Sequence, residues 1–201
     1  MKKIILIASL IVVAFSSTSC KKKAKKDAAA KQEITIDASK TVVNWTAYKT
    51  TQKVPVKGQF QKLIITKNGS GNTPSDALNG TEFSIPVSSI FSNNPDRDHK
   101  LKTLFFGVMK NAEVLSGTIH IENNNAGFVD FNMNGVIEKL PFSYTQNGST
   151  LEIQSVMHTD TWQAQAAIES INKACFELHK GPDGVSKTWS DVGINISVAF
   201  K

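Results

Sequence analysis

From Glu33 onward, apolar and polar side chains alternate along most of the chain. That is the period of a strand with one face buried. Val43, Trp45 and Ala47 share one such face. Val54, Val56 and Phe60 share another, with Gly58 between them as a bend. Phe83, Ile85 and Val87 repeat the pattern, as do Ile119 and Ile121, then Val129, Phe131 and Met133, then Leu140, Phe142 and Tyr144. The chain closes on Val192, Ile194, Ile196, Val198 and Phe200 at unbroken alternation. Asn147-Gly148, set between two such runs, predicts a two-residue hairpin turn with positive φ at both positions. Eight or more half-buried strands joined by short turns predict a mainly β, antiparallel fold, a barrel or a sandwich.

Two segments change period. Asn94-Pro95-Asp96-Arg97-Asp98-His99 opens a helix, with Asn94 as cap, Pro95 in the first turn and acids at the positive end of the helix dipole. Leu101, Leu104 and Phe105 then share a face. Between Thr161 and His179, Ala164, Ala167, Ile168, Ile171, Ala174, Cys175 and Leu178 follow helical spacing until Gly181-Pro182 ends the run. The Gly/Ser/Asn/Pro-rich stretch from Asn68 to Asn79 reads as a mobile loop, and no internal repeat is visible.

The N-terminus follows a different logic. Met1-Lys2-Lys3 precedes an apolar run from Ile4 to Phe15, which is shorter than the roughly 20 residues a bilayer span needs. It fits the apolar core of an export signal. Small residues then lead to Cys20, in a pattern that resembles a lipobox. Ser17 stands where Leu is usual, which resembles the looser lipoboxes of Bacteroidetes lipoproteins. Residues 1–19 are therefore expected to be a lipoprotein signal peptide, and residues 20–32 an acylated Cys20 followed by a Lys/Ala-rich tether. Residues 33–201 form the folded domain. Surface-exported lipoproteins of that phylum are acidic just after the cysteine. The lysines here are the opposite, which implies an envelope location facing the periplasm.

Charge narrows the function. Of the 23 basic and 17 acidic residues, eight lysines and one acid lie in residues 1–31, leaving 15 basic against 16 acidic in the body. No basic stripe remains to follow a nucleic acid backbone, so nucleic-acid binding is not expected. His99, His120, His158 and His179 do not pair at metal-ligand spacing, and His158-Thr159-Asp160 is too sparse for a zinc site. The sequence lacks a G-x-S-x-G elbow, a P-loop and a dinucleotide fingerprint. No catalytic residue, metal or cofactor is therefore expected, and the chain reads as a non-enzyme.

Trp45 to Phe60, Ser89 to Phe106, Asn134 to Phe142 and Trp189 to Ile194 are stretches that together resemble the YceI family, lipocalin-like barrels that bind polyisoprenoid lipids. Trp45 to Phe60, ending Val56-Lys57-Gly58-Gln59-Phe60, resembles the family's first hairpin. Arg97-Asp98-His99-Lys100-Leu101 with Phe105-Phe106 resembles its R-D-x-x-L and F-F stretch. Asn134-Gly135 through Phe142, and Trp189-Ser190-Asp191-Val192-Gly193-Ile194, resemble two later motifs. The likeness runs over most of residues 34–201. It implies an antiparallel lipocalin-like β-barrel, to which the helical spacing above adds two helical insertions; the helix over 161–179 departs from the family, where that region often runs as strand and loop. The family often has a histidine near the end of the first strand, where this chain has Tyr48-Lys49.

Together these readings place an apolar, isoprenoid-like lipid in the lumen, against Trp45, Phe60, Phe83, Phe105, Phe106, Phe131 and Phe142. Lys49 and Arg97 would suit a polar headgroup at the rim. Arg97-Asp98 also has a structural reading, which is preferred: Asp98 favours the helix N-terminus while Arg97 braces the rim. Membrane attachment runs through acylated Cys20, and a homodimer is left open. Cys175, on the apolar helix face, is expected to stay a free thiol. The rival is a protein-interaction module of the envelope with a filled barrel core. An open lumen separates the two.

Overall fold

A computed structural model of the chain describes residues 33–123 and 125–201. The expected signal peptide and the whole of the tether, Cys20 included, lie outside the described residues. Ten strands form one sheet: β1 (Val42–Lys49), β2 (Val54–Phe60), β3 (Ile64–Lys67), β4 (Glu82–Pro86), β5 (Ile90–Phe91), β6 (Val114–Asn123), β7 (Ala126–Met133), β8 (Val136–Asn147), β9 (Thr150–His158) and β10 (Thr188–Ala199). The pairing order is β3-β4-β6-β7-β8-β9-β10-β1-β2-β5, antiparallel throughout.

The two ends of that order meet through the chain itself. β2 and β3 are halves of one bent strand separated only by residues 61–63, and β4 and β5 are halves of another. β2 pairs with β5 at Phe60↔Ile90, and β3 pairs with β4 at Ile64↔Ser84, in nearly the same register. Between them the Gln61 amide donates to the Ser89 carbonyl at 2.9 Å. Counting each bent pair as one strand leaves eight, each beside its sequence neighbour, with β10 closing on β1. The fold is an up-and-down antiparallel barrel of the expected lipocalin-like class. Closure removes the free edges that an open sheet leaves exposed.

Inward residues split into two clusters. At one end Ile36, Leu78, Phe142, Tyr144, Leu151, Ile153 and Val198 pack into a buried apolar cluster. That end is plugged by helix α1 (Pro74–Leu78), which falls inside the stretch expected to be a mobile loop. Thr73 caps α1 by accepting from the Asp76 amide at 3.2 Å, and Leu78 is 0% exposed. The Thr81 hydroxyl donates to the Ala77 carbonyl and accepts from the Gly69 amide, each at 2.8 Å, which fixes both flanks of the segment. Its polar composition hid one apolar dipeptide, Ala77-Leu78, that seals the barrel.

The other end is covered by two helical segments. Helix α2 (Pro95–Lys100) starts where Asn94 Oδ1 accepts from the Arg97 amide at 2.9 Å, and it continues into a π-helical turn over Leu101–Phe105. Helix α3 (Gln165–Ala174) is shorter than the expected 161–179. Gln163 has φ 55°, and the Asn134 amide nitrogen takes the Trp162 and Gln163 carbonyls at 2.9 and 3.1 Å. Those carbonyls are thereby turned away from a helical ladder, and residues 159–162 form a 3₁₀ turn. Beyond Cys175 a second 3₁₀ turn carries Leu178 outward, where it is 60% exposed rather than on the buried face.

The hairpin turns also differ from expectation. Asn147 pairs with Thr150, so the turn residues are Gly148 and Ser149, and only Gly148 has positive φ, at 60°. That is the type II′ arrangement, with glycine first. The turn with two positive φ values is Asn134-Gly135, at 56° and 72°, between the paired Met133 and Val136. Residues 32–201 form a compact unit containing every strand pairing and both apolar clusters, so this span carries the contacts it needs to fold by itself.

Candidate ligand-binding site

The half of the barrel beneath α2 and α3 is not filled. It holds a cavity of about 430 Å³ that opens at this end. Its wall comes from inward positions of the strands, such as Val43, Trp45, Phe83, Ile85, Leu115, Phe131, Leu140 and Ile194, and from Ile168, Ile171 and Cys175 of the α3 segment. Small residues make part of the room. Trp45 stands opposite Gly58 across the β1–β2 ladder, and its indole lies in the space a Cβ on Gly58 would occupy. The indole is thereby laid flat on the wall.

Six of the seven aromatic residues expected in the lumen line this cavity: Trp45, Phe60, Phe83, Phe105, Phe106 and Phe131. Phe142 does not. It faces inward but sits deeper, in the filled end, with its ring 6.3 Å from Tyr144. Alternation assigns a face of the sheet; it carries no information on height along the barrel axis. Phe106 is gripped edge-on by Phe60 and Phe105, at centroid distances of 6.5 and 5.0 Å. Phe131 stands edge-on to Trp162 at 5.8 Å, and the Trp162 indole donates to the Phe131 carbonyl at 2.8 Å. These contacts set a rigid apolar wall. Two buried polar atoms on it, Trp45 Nε1 and Thr159 Oγ1, have no hydrogen-bond partner among the described residues. Cys175 is a buried free thiol on the same wall.

Apart from those buried atoms, the polar groups of the cavity gather at its mouth. Lys49 and Arg97 both line it, as do Asn94, Asp96, Lys100, His179 and Thr188. Lys49 Nζ donates to the Leu178 carbonyl at 3.0 Å, pinning the end of β1 to the segment after α3. The Thr188 hydroxyl gives its one proton to Asn172 Oδ1 at 2.9 Å, so it accepts from His179 Nδ1 at 2.7 Å. Burial, helped by the charges of Lys49 and Lys100, holds His179 below the ordinary imidazole pKa. It is therefore neutral near pH 7, with its Nε2 lone pair free of that bond.

The Arg97-Asp98 pair divides its work. Asp98 is buried, and its carboxylate accepts from the Ser92 amide and hydroxyl at 2.9 and 2.6 Å. It thus ties α2 back to the end of β5 rather than serving mainly the helix dipole. Arg97 lines the cavity. Lys100 and His179 were not singled out in the sequence. Lys100 follows Arg97 by three residues, which puts both on one helical face, and that spacing was the available signal. His179 had none, since only the turn after α3 brings it to the mouth. His158 bonds Asp191 at 2.8 Å, and Lys53 reaches the same carboxylate at 2.7 Å, as an ordinary ion cluster. Among the described residues no group of three or more His, Cys, Asp or Glu side chains converges on a metal position.

An eight-stranded barrel with one end plugged and an apolar cavity at the other is a fold with known relatives. The family model of the YceI-like domain matches residues 34–200. The chain belongs to the YceI-like family. Its solved relatives in fold include a polyisoprenoid binding domain from Saccharophagus degradans implicated in plant cell wall breakdown. That domain is 12% identical, with a TM-score of 0.60, covering 84% of this chain and 97% of the relative. Burkholderia cenocepacia BcnA is 14% identical, with a TM-score of 0.51, covering 83% and 99%. A mutant YceI protein of Campylobacter jejuni is 17% identical, with a TM-score of 0.51, covering 76% and 89%. No curated protein matches the chain. At these identities the structural relatives establish the shared YceI-like fold, and the family match spans both the filled end and the cavity.

Proposed function

We propose that this YceI-like protein is a non-enzymatic carrier that holds one long apolar, isoprenoid-like lipid in its barrel, tethered to a membrane of the cell envelope and facing the periplasm. The observation that carries the reading is the cavity of about 430 Å³ with aromatic and aliphatic walls. It falls in the range of roughly 300–1,000 Å³ common for small-molecule sites. The polyisoprenoid-binding relative from Saccharophagus degradans supports the same ligand class. Each methylene moved from water to such a wall contributes about 0.8 kcal/mol before ordering costs. A chain of several isoprene units would therefore supply its affinity through burial alone. The rival, an interaction module with a filled core, fits only the plugged half of the barrel.

Titration of residues 32–201 with a polyisoprenoid alcohol tests the reading directly. Saturable binding is expected, with a change in tryptophan fluorescence as the lipid packs against the buried Trp45 indole. Ala47→Phe and Phe83→Trp, which add bulk to the cavity wall, should weaken binding while the thermal transition persists. Binding that ignores both substitutions would place the lipid elsewhere. Acylation of Cys20 is tested by fractionation of cells: Cys20→Ala should leave the membrane fraction, because acyl chains account for the anchoring. Retention of that variant in salt-washed membranes would sink the lipoprotein assignment.

A further inference from the structure

Lys49, Arg97 and Lys100 reach the cavity mouth from two separate parts of the fold, β1 and α2, and all three are only partly exposed. None of them forms an ion pair with a carboxylate among the described residues, whereas Lys40, Lys53, Lys67 and Lys180 all do. Among the described residues Asp96 is the sole acidic one lining the cavity. Three cations thus face one acid at the opening of an apolar chamber, and the nearby imidazole is neutral. Like charges gathered beside a low-dielectric wall repel one another more strongly than in open water. An arrangement of this kind is relieved by a bound anion. A neutral headgroup such as an alcohol or an amide leaves it unrelieved.

We infer that the mouth formed by Lys49, Arg97 and Lys100 selects an anionic headgroup, a phosphate or carboxylate carried on the apolar chain that fills the cavity. The inference rests on reading the cavity as a lipid site. The shift at His179 agrees with it, since the charges of Lys49 and Lys100 both reach that ring. Arg97 supplies a planar fork suited to two oxygens of one anion, and the lysines act as point charges beside it. Lys49 keeps its bond to the Leu178 carbonyl and still has two N–H donors to offer.

The test compares geranylgeraniol with geranylgeranyl monophosphate on residues 32–201 by calorimetric titration at low salt. The two probes share a tail, so their affinity ratio reports the headgroup alone. The monophosphate is expected to bind about tenfold tighter or more. The ratio should shrink in high salt. It should fall toward one in the double variant Arg97→Gln with Lys100→Gln, whatever that variant does to tail binding. Lys180→Gln, a surface lysine paired with Glu177 and absent from the cavity wall, should leave the ratio intact. Inorganic phosphate alone should not compete with the monophosphate at matched concentration. If it competes, the mouth is a free-anion site and the assignment to a lipid headgroup is overturned. Equal affinity for the two probes would overturn the headgroup inference and leave the carrier intact. Failure of both probes to bind would remove the carrier reading, and this inference with it.

Discussion

At the scale of single residues, the cavity exists because small and large side chains face each other at the right places. Gly58 is the clearest case. A methyl group there would meet the Trp45 indole and approach the Phe91 carbonyl oxygen to 2.7 Å. Gly58→Ala is expected to destabilise the barrel by about 1–3 kcal/mol, the usual range for overpacking. Urea unfolding measures it, and an unchanged midpoint would mean the indole is free to swing away. His179 makes a second residue-scale prediction. Its folded pKa is lowered, first by burial and then by Lys49 and Lys100. The unfolded chain therefore takes up a proton near pH 6.5 while the folded protein does not. The contribution of His179 to stability is present above that pH. It is lost as pH falls from about 6.5 down through the lowered folded value. Scanning calorimetry from about pH 7.5 to about pH 5 should show a steeper fall for the wild type than for His179→Asn. Parallel slopes would contradict the assigned shift.

At the scale of elements, the strands were legible and the pieces that seal the barrel were less so. Alternation located the inward faces of β1, β4 and β7 to β10, because one buried face is a strong period-two signal. It did not reveal that β2–β3 and β4–β5 are bent strands that close the ring, since a bend leaves only a local irregularity in the pattern. α1 was missed because five residues give no helical period, and its sealing side chain is a single Leu78. The α3 stripe is buried at Ala164, Ala167, Ile171 and Cys175 but exposed at Ala174 and Leu178, and Ile168, Ile171 and Cys175 also roof the cavity. Ile171 is 6% exposed at the centre of that roof. Ile171→Asp would place an unpaired charge there and should lower stability by about 3 kcal/mol or more. A melting temperature equal to the wild type would show that α3 is not seated on the barrel. The candidate site was half visible in advance. Its aromatic wall follows from strand parity and Lys100 from its helical spacing to Arg97, whereas His179 arrives by a turn whose geometry no sequence period encodes.

At the scale of the whole molecule, the two ends of the barrel do different work. The plugged end carries a solid core around Leu151 and Tyr144, and the chain enters there through the Ile36↔Phe200 bridge. The mouth end gives up part of its core to an empty volume, which forfeits packing contacts that a filled barrel would keep. Sacrificed packing beside a satisfied core elsewhere in the same small domain is a sign of a site rather than of poor design. A bound lipid would restore the missing contacts and raise the apparent stability by mass action. The most direct measurement is mass spectrometry of an organic-solvent extract of residues 32–201, purified without detergent from the cells that produce them. The account predicts a long, largely hydrocarbon lipid in near-stoichiometric amount, absent from an equally folded Ala47→Phe preparation. A well-folded wild type that releases no lipid, and takes up none when isoprenoids are added, would contradict it.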